Sequence, residues 1–515
     1  MVTPARMLQR PRLAPVRALA LLATLGLSIA ACDNKAAPPP REPPHAVASE
    51  TPVATADAKD AGAAPKTAEQ TATPAEPPAK KEETYAEWLT RHLPPGGSLE
   101  GDPVKVKHTL QKGDTPQSVA KAYLPISDIY YPLDLANAIV KANKGFAGVI
   151  EIPHIVPKAF ADDPKTERLG WPADKALKAV FVTGSYHGVR WVDTLDKSAE
   201  HGLNAVVLDA KDYEGGVNYP SKAKIAIETN ATKVTFIPDL ARAIRFAHWR
   251  GIRVIMRIPC FHDPWAQDHA LRLAIKGKWG GPFKMGWMDP MNEEARAYII
   301  ELVQEQVDAG ADEVQLDYIR FPVHPGTDKA VLPPKADRQE AIRQFVHNVH
   351  EVTSKQGVPL SLDLFGVVTQ DDPLDQQLLG QDIGVLAPEC EAISPMIYPS
   401  HYSRNYAGFE HPGDHAEIHG WAVKGGVAKL PAGSTTVIRP WLQAFPQDSP
   451  HFGMKYVADA AKFSDGNGGV GWLMWHPGCE FSSVWAAFPK RKTATTAVAA
   501  PMAAPAAAPT TAPSH

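Results

Sequence analysis

Three aspartates stand at the ends of, or within, apolar runs whose alternation can aim them. Asp209 closes Ala205-Val206-Val207-Leu208, Asp317 follows Val314-Gln315-Leu316, and Asp363 interrupts Leu360-Ser361-Leu362 before Leu364. In a strand successive side chains point to opposite faces. Val206 and Leu208, Val314 and Leu316, and Leu360, Leu362 and Leu364 therefore share one kind of face; Asp209, Gln315, Asp317, Ser361 and Asp363 take the other. Carboxylates are seldom buried unless paired or used. Two on one rim suit glycoside hydrolysis, one as nucleophile or base and the other as a proton donor of raised pKa. Carboxyls on adjacent strands, as expected for Asp317 and Asp363, stand about 5–8 Å apart, a span touched by both retaining and inverting enzymes, and their closeness favours retention. Arg320 is placed to hold the charge of Asp317, and Lys211 or Arg257 to pair with Asp209. Sugar C–H faces stack on aromatic rings while hydroxyls take directed hydrogen bonds. On that ground Trp287, Asp289, Arg320, Tyr398, His401, Arg439, Trp441, Gln443 and Trp475 are the candidate substrate contacts, whereas Trp472 reads as core.

The elements that must position these residues recur along the chain. Strands are expected at Ala179–Gly184, Ala205–Ala210, Val254–Phe261, Glu313–Phe321, Leu360–Gly366, Ala392–Pro399, Thr436–Phe445 and Val470–His476. Helical patterns alternate with them at Val192–His201, Asp239–Arg250, Glu293–Ala309, Arg338–Gln356, Leu374–Leu386, a poorly patterned stretch near 415–429, Lys455–Ser464 and Ser482–Phe488. Eight strand–helix units over residues 176–489 predict an α/β fold, a closed parallel (β/α)8 TIM barrel, whose chemistry gathers at the C-terminal strand ends. An open doubly wound sheet would want a phosphate-binding glycine turn after its first strand, and Gly184-Ser185-Tyr186-His187-Gly188 is not one. Gly466-Asn467-Gly468-Gly469-Val470-Gly471 precedes a strand and reads as a helix-to-strand turn. His347 and His350 read as a helix face, with no zinc motif around them. The sequence calls for no metal and no cofactor, and it carries no G-x-S-x-G elbow of an esterase.

Composition sets the frame. Hydrophobic content of 44% and charged content of 21% exclude a wholly disordered chain and a multi-span membrane protein. Lys+Arg 53 against Asp+Glu 57 leaves no basic surplus for nucleic acid. Four cysteines in 515 residues are no disulfide framework; Cys260, Cys390 and Cys479 read as buried thiols, or as one bridged pair and a thiol in an oxidising compartment. The 49 prolines are not spread evenly and are densest toward the ends. Residues 1–31 read as an export signal: Arg6, Arg10, Arg12 and Arg17 precede an apolar run too short to span a bilayer. The run ends Ile29-Ala30-Ala31-Cys32, which resembles a bacterial lipobox and implies a lipidated Cys32, a membrane partner and a place in the cell envelope. Residues 32–84 are an Ala/Pro-rich tether and 492–515 a similar tail, both too poor in large apolar residues to fold.

Two resemblances add to this. Val106–Asp114, a helix from about Ser118, a second helix over Leu135–Asn143 and Val149–Pro153 give a βααβ order at 104–157 that resembles a LysM module, with a longer loop at Leu124–Pro132. That resemblance implies binding of peptidoglycan or another N-acetylglucosamine glycan. Over about 176–488, the blocks Asn204–Asp212, Arg257–Pro264, Trp287–Asn292, Gln315–Pro322, Asp363–Gly366, Ser394–Tyr402 and Arg439–Gln443 resemble the bacterial putative glycosyl hydrolase domain family, barrels distantly similar to the α-amylase type. The resemblance implies a hydrolase acting on a polysaccharide, with Asp317 as nucleophile and Asp363 as proton donor. Amylase-type enzymes usually carry Glu at the donor position, so Asp209 and Asp289 stay open as donors. The competing readings are a glycan-binding lipoprotein without turnover and a polysaccharide deacetylase or esterase.

Overall fold

The computed structural model describes residues 83–156, 168–282, 286–323, 330–331, 337–370 and 373–490. The signal segment, Cys32, nearly all of the tether and the tail lie outside the described residues. Among the described residues no helix is long and apolar enough to cross a membrane.

The first elements are α1 Tyr85–His92, β1 Gly97–Glu100, β2 Lys105–Thr109, α2 Pro116–Tyr123, α3 Pro132–Ala142 and β3 Val149–Glu151. The three strands form an antiparallel sheet in the order β1-β2-β3. Thr115 caps α2 in a capping box with Ser118. Val106, Tyr123, Leu135, Ile139 and Ile150 fill a small core of their own.

The barrel follows as β4 Leu177–Val182, α4 Gly184–Glu200, β5 Ala205–Asp209, α5 Lys224–Glu228, α6 Leu240–His248, β6 Arg253–Pro259, α7 Pro264–His269, β7 Lys276–Gly277, α8 Glu293–Asp308, β8 Glu313–Asp317, β9 Ala330–Val331, α9 Arg338–Ser354, β10 Leu360–Phe365, α10 Pro373–Leu379, α11 Ile383–Leu386, β11 Ala392–Ile397, α12 Glu417–Ala428, β12 Val437–Ile438, β13 Trp441–Gln443, α13 Met454–Gly466, β14 Gly471–Trp475 and α14 Ser482–Ala487. The parallel order β10-β8-β6-β5-β4-β14-β13-β11, with β10 paired back to β11, closes the sheet. This is the eight-stranded TIM barrel expected, with β12 and β13 together making the seventh strand. The two-residue strands β7 and β9 pair outside it, joining the loops that follow β6 and β8.

Local chemistry explains where the elements depart from the sequence pattern. The fourth barrel strand ends at Asp317, not Phe321, because Tyr318 turns into the left-handed region at φ 51°. The seventh breaks at Arg439-Pro440, since Pro440 has no N–H for the ladder. The expected helix Leu374–Leu386 splits at Gly380 (φ 77°), and Asp382 caps the new start. Helix α4 starts eight residues before the expected Val192, because the Thr183 hydroxyl accepts the Tyr186 N–H. At the closing seam Gly471 has φ 74°, and a Cβ there would sit 2.1 Å from the Leu177 carbonyl oxygen.

The Leu124–Pro132 loop docks on the barrel. Arg242 of α6 donates to the Ile129 and Tyr130 carbonyls, and its guanidinium lies 4.8 Å over the Tyr130 ring. The Tyr130 hydroxyl meets His187 Nε2 at 2.7 Å, and the Trp191 N–H donates to the Tyr131 hydroxyl at 2.7 Å. Cys260, Cys390 and Cys479 are free and buried. His347 and His350 pair with Glu389 and Glu391 along α9.

Candidate active site

Strand register brings the three aspartates to one end of the barrel. Asp209 pairs with Arg257, Arg257 with Gln315, and Pro259 with Asp317. Leu316 pairs with Leu362, so Asp317 and Asp363 follow at one height on adjacent strands. Asp209, Asp317 and Asp363 are 4%, 2% and 0% exposed.

Arg257 is the hub between them. Its Nη1 donates to Asp209 Oδ1 at 2.5 Å. Its Nη2 and Nε reach Asp317 Oδ2 at 2.5 and 3.2 Å, and Nε lies 3.5 Å from Asp363 Oδ2. Asp317 Oδ1 accepts the backbone N–H of Tyr318 at 2.5 Å, a bond that the left-handed turn supplies. Asp363 Oδ1 accepts the Trp441 indole N–H at 2.7 Å, while its Oδ2 makes no hydrogen bond.

One cation cannot balance three buried carboxylates, so protons must. Burial, reinforced by the charge of Asp317, holds the Asp363 carboxyl well above the usual carboxylate range. Burial pushes Asp209 up to about 7 against the pull of Arg257. Asp317, by contrast, takes hydrogen bonds from both the guanidinium and the Tyr318 amide. Neighbouring carboxyls in such different surroundings are the usual mark of an acid and its partner.

Aromatic walls flank the cluster. Tyr398 is buried, and its phenol is raised by burial and by Asp363 and Asp317. Its ring stacks on Trp475 at 5.0 Å and meets His401 edge-on at 5.5 Å. Opposite, Tyr318 packs on His262, which packs on Trp287 and on the half-exposed Tyr213. The sequence reading did not single out Tyr318, His262 or Tyr213 as site residues. Their signal lay in the Asp212-Tyr213, Phe261-His262 and Asp317-Tyr318 pairs, each an aromatic just past a strand end.

Several expected contacts lie elsewhere. Arg320 does not pair with Asp317; its guanidinium lies over Phe365 and Trp287 at 4.2 and 4.6 Å, and burial lowers it to about 10. Arg439 is at the N-terminal end of the barrel, fully buried, bonded to Glu313 at 2.8 and 2.9 Å and stacked on Trp171. It closes the barrel floor and does not reach the rim. Gln443 is also fully buried and braces loops: its Oε1 accepts the Ser400 N–H, and its Nε2 donates to Ser449 Oγ and the Phe445 carbonyl. Asp289 keeps apart from the three-aspartate cluster, near Arg296 and Lys276. Trp287 and Trp441 are buried at 0% and 1%, so they back the site rather than offer an open platform. Lys211 pairs with Asp263 at 3.0 Å, leaving Asp209 to Arg257.

A family model for the putative glycosyl hydrolase domain matches residues 179–481, the barrel almost from end to end. The chain belongs to that family. By that membership the barrel is a glycoside hydrolase domain. No curated protein matches the sequence. Among solved structures, a hypothetical protein from Ruminiclostridium thermocellum ATCC 27405 is 31% identical, covering 36% of this chain and 96% of its own, with a TM-score of 0.32. The catalytic domain of beta-amylase from Paenibacillus polymyxa is 10% identical over 61% of this chain and 98% of its own, with a TM-score of 0.41. The beta-N-acetylhexosaminidase from Bacteroides fragilis NCTC 9343 is 10% identical over 69% of this chain and 70% of its own, with a TM-score of 0.40.

Proposed function

We propose that this chain is an envelope-anchored glycoside hydrolase that cleaves a cell-surface or environmental polysaccharide with two carboxyls. Asp317 attacks the anomeric carbon, and Asp363 gives its proton to the departing glycosidic oxygen. In the second half-reaction Asp363 takes a proton from water, which displaces Asp317. The observation that carries this reading is the contrast between them. Asp317 is held by Arg257 and the Tyr318 N–H, whereas Asp363, at the same height, is kept protonated by burial and has an oxygen free of hydrogen bonds. Arg257 orients Asp317, and Asp209 shares its charge. His401 and Trp475 are the rings offered to sugar C–H faces, with the buried Tyr398 packed behind them.

Lipidation at Cys32 would tie the chain to a bacterial membrane, and the module at 104–157 would hold it on peptidoglycan or a related glycan. The lipobox-like Ile29–Cys32 and the βααβ order support these parts of the reading. Labelling with a fatty-acid probe, lost in Cys32→Ser, tests the anchor.

A second reading, a glycan-binding lipoprotein without turnover, rests on the depth of the carboxylates, at most 4% exposed. Reducing-end release from α-glucans, amino-sugar polymers and peptidoglycan separates the two. Hydrolysis by the wild type that disappears in Asp317→Asn supports the enzyme and the site. Hydrolysis that survives the substitution removes Asp317 from its role. Tight binding to a glycan that neither protein cuts favours the binder.

A further inference from the structure

Arg320 is a buried cation without an anion. It is 6% exposed, and among the described residues it makes no ion pair. Rings clamp its guanidinium: Phe365 at 4.2 Å, Trp287 at 4.6 Å and Tyr318 at 5.6 Å. Nη1 donates to the Phe321 carbonyl at 3.1 Å. Nε is buried and unbonded, while Nη2, also unbonded among the described residues, is not sealed from solvent. Ring faces lower the cost of a cation without cancelling its charge. Burial lowers the group to about 10, which leaves it charged at neutral pH. A charge this deep normally has a counterion, so the missing one is to be sought outside the chain.

Placement narrows what brings it. Arg320 stands three residues past Asp317 and Phe365 two past Asp363, so the clamp spans the ends of β8 and β10. The charge of Asp317 bears on Arg320 without pairing with it. On the other side His262 packs on the same Tyr318 and Trp287 rings, and burial holds it neutral by lowering it to about 4. Asp263, whose charge reaches His262, is already taken by Lys211 at 3.0 Å. The protein therefore offers rings and neutral groups to Arg320, and no acid of its own. The carboxyls around Arg257 would repel an anion elsewhere on this rim, so Arg320 also fixes where one can lie. A guanidinium is the donor best matched to a carboxylate or phosphate.

We infer that Arg320 binds one anionic group of the substrate, a carboxylate or phosphate carried on a sugar beside the scissile bond, so that the enzyme takes an acidic polysaccharide. The inference rests on the hydrolase reading and adds to it the charge of the sugar.

The test is titration calorimetry on the whole chain with matched acidic and neutral sugars. The pairs are oligogalacturonides and their methyl esters, muramic-acid-bearing glycan strands and chitooligosaccharides, and phosphorylated and plain malto-oligosaccharides. Wild type, Arg320→Met and Arg320→Lys are compared. In one pair the acidic member should bind wild type about tenfold or more tighter than its neutral partner, the worth of a charge-assisted hydrogen bond. Which pair shows this tells carboxylate from phosphate. Arg320→Met should lose the preference and bind the neutral member as wild type does, while Arg320→Lys keeps part of it. Guanidinium denaturation adds a readout that needs no ligand. Arg320→Met removes an unpaired buried charge, so its midpoint should stay or rise. A midpoint that falls, with acidic and neutral sugars weakened alike, makes Arg320 a structural clamp and overturns the inference. Acidic members bound no better than neutral ones by wild type also overturn it, and if sugars are still cut by wild type and not by Asp317→Asn the hydrolase reading stands. Sugars of every pair neither bound nor cut overturn the inference together with the reading it rests on.

Discussion

Asp209 offers a measurable consequence of the imbalance around Arg257. Its carboxyl moves from an ordinary 3.8 to about 7 because burial outweighs the one guanidinium it shares with Asp317 and Asp363. Below pH 4 the group is protonated whether the chain is folded or not, and it contributes nothing. Between pH 4 and 7 the unfolded chain releases the proton and the folded chain keeps it, so stability falls as pH rises. The slope is about 1.4 kcal/mol per pH unit, and above pH 7 the loss levels off at about 4 kcal/mol. Asp363 adds a penalty of the same sign, so the wild-type curve alone does not isolate Asp209. The difference between Asp209→Asn and wild type does. The amide keeps an oxygen for Arg257 Nη1 and cannot ionise. Guanidinium denaturation at constant ionic strength, followed by tryptophan fluorescence at half-unit pH steps, gives both curves. The variant should gain on the wild type by about 4 kcal/mol from pH 4 to pH 7 and no further above it. A variant that is weaker by a constant amount, or that loses ground as pH rises, would show Asp209 charged throughout and Arg257 able to neutralise the cluster. That outcome would refute the protonation argument on which the acid role of Asp363 also stands.

Other consequences follow from single contacts. Trp441→Phe removes the N–H that favours ionised Asp363, so the alkaline limb of the activity profile should move to higher pH while kcat falls about tenfold; a limb that stays in place removes Asp363 as the acid. Arg439→Met leaves Glu313 on the barrel floor without its guanidinium, with the Trp171 indole N–H as its remaining donor, and should cost about 3–5 kcal/mol in chemical denaturation, with most of it recovered by adding Glu313→Gln. KM should stay as it was, and a raised KM at unchanged stability would return Arg439 to the substrate. Arg242→Ala removes the donor to the Ile129 and Tyr130 carbonyls, so residues 83–156 should become cleavable from the barrel at protease levels that spare the wild type.

The barrel could be read from sequence because its signals are local. Leu360, Leu362 and Leu364 against Ser361 and Asp363 need only the two-residue period to declare their faces, and all five are buried as that period requires. The end of β8 could not, since nothing in Asp317-Tyr318-Ile319 announces that Tyr318 turns left-handed and gives its N–H to Asp317. Depth was hidden too. Arg439, Trp441 and Gln443 share a parity, and parity says inward without saying how far along. Two residues of strand advance about 6.6 Å, so the three stand at floor, carboxylate level and rim, with three different tasks. Arg257 went unrecognised as a hub because its partners come from three other strands that only sheet pairing sets beside it, Asp209 from β5, Asp317 from β8 and Asp363 from β10.

Three buried arginines show that count, not residue type, decides what a cation does in this barrel. Arg439 meets one carboxylate, Glu313, and the pair cancels into an inert floor. Arg320 meets none; it rests on Trp287 and Phe365 and is pulled down to about 10, a cation without a carboxylate beside the rim. Arg257 meets three, so its surroundings stay short of positive charge whatever one guanidinium does. A proton on Asp363 relieves part of that shortage, and in the proposed reaction that is the proton the leaving oxygen takes. The anomeric carbon then grows positive within reach of Asp317, in a site that still lacks a cation. An oxocarbenium-like centre supplies one, so the arrangement favours the transition state over a neutral ground state by the same imbalance that holds Asp363 protonated.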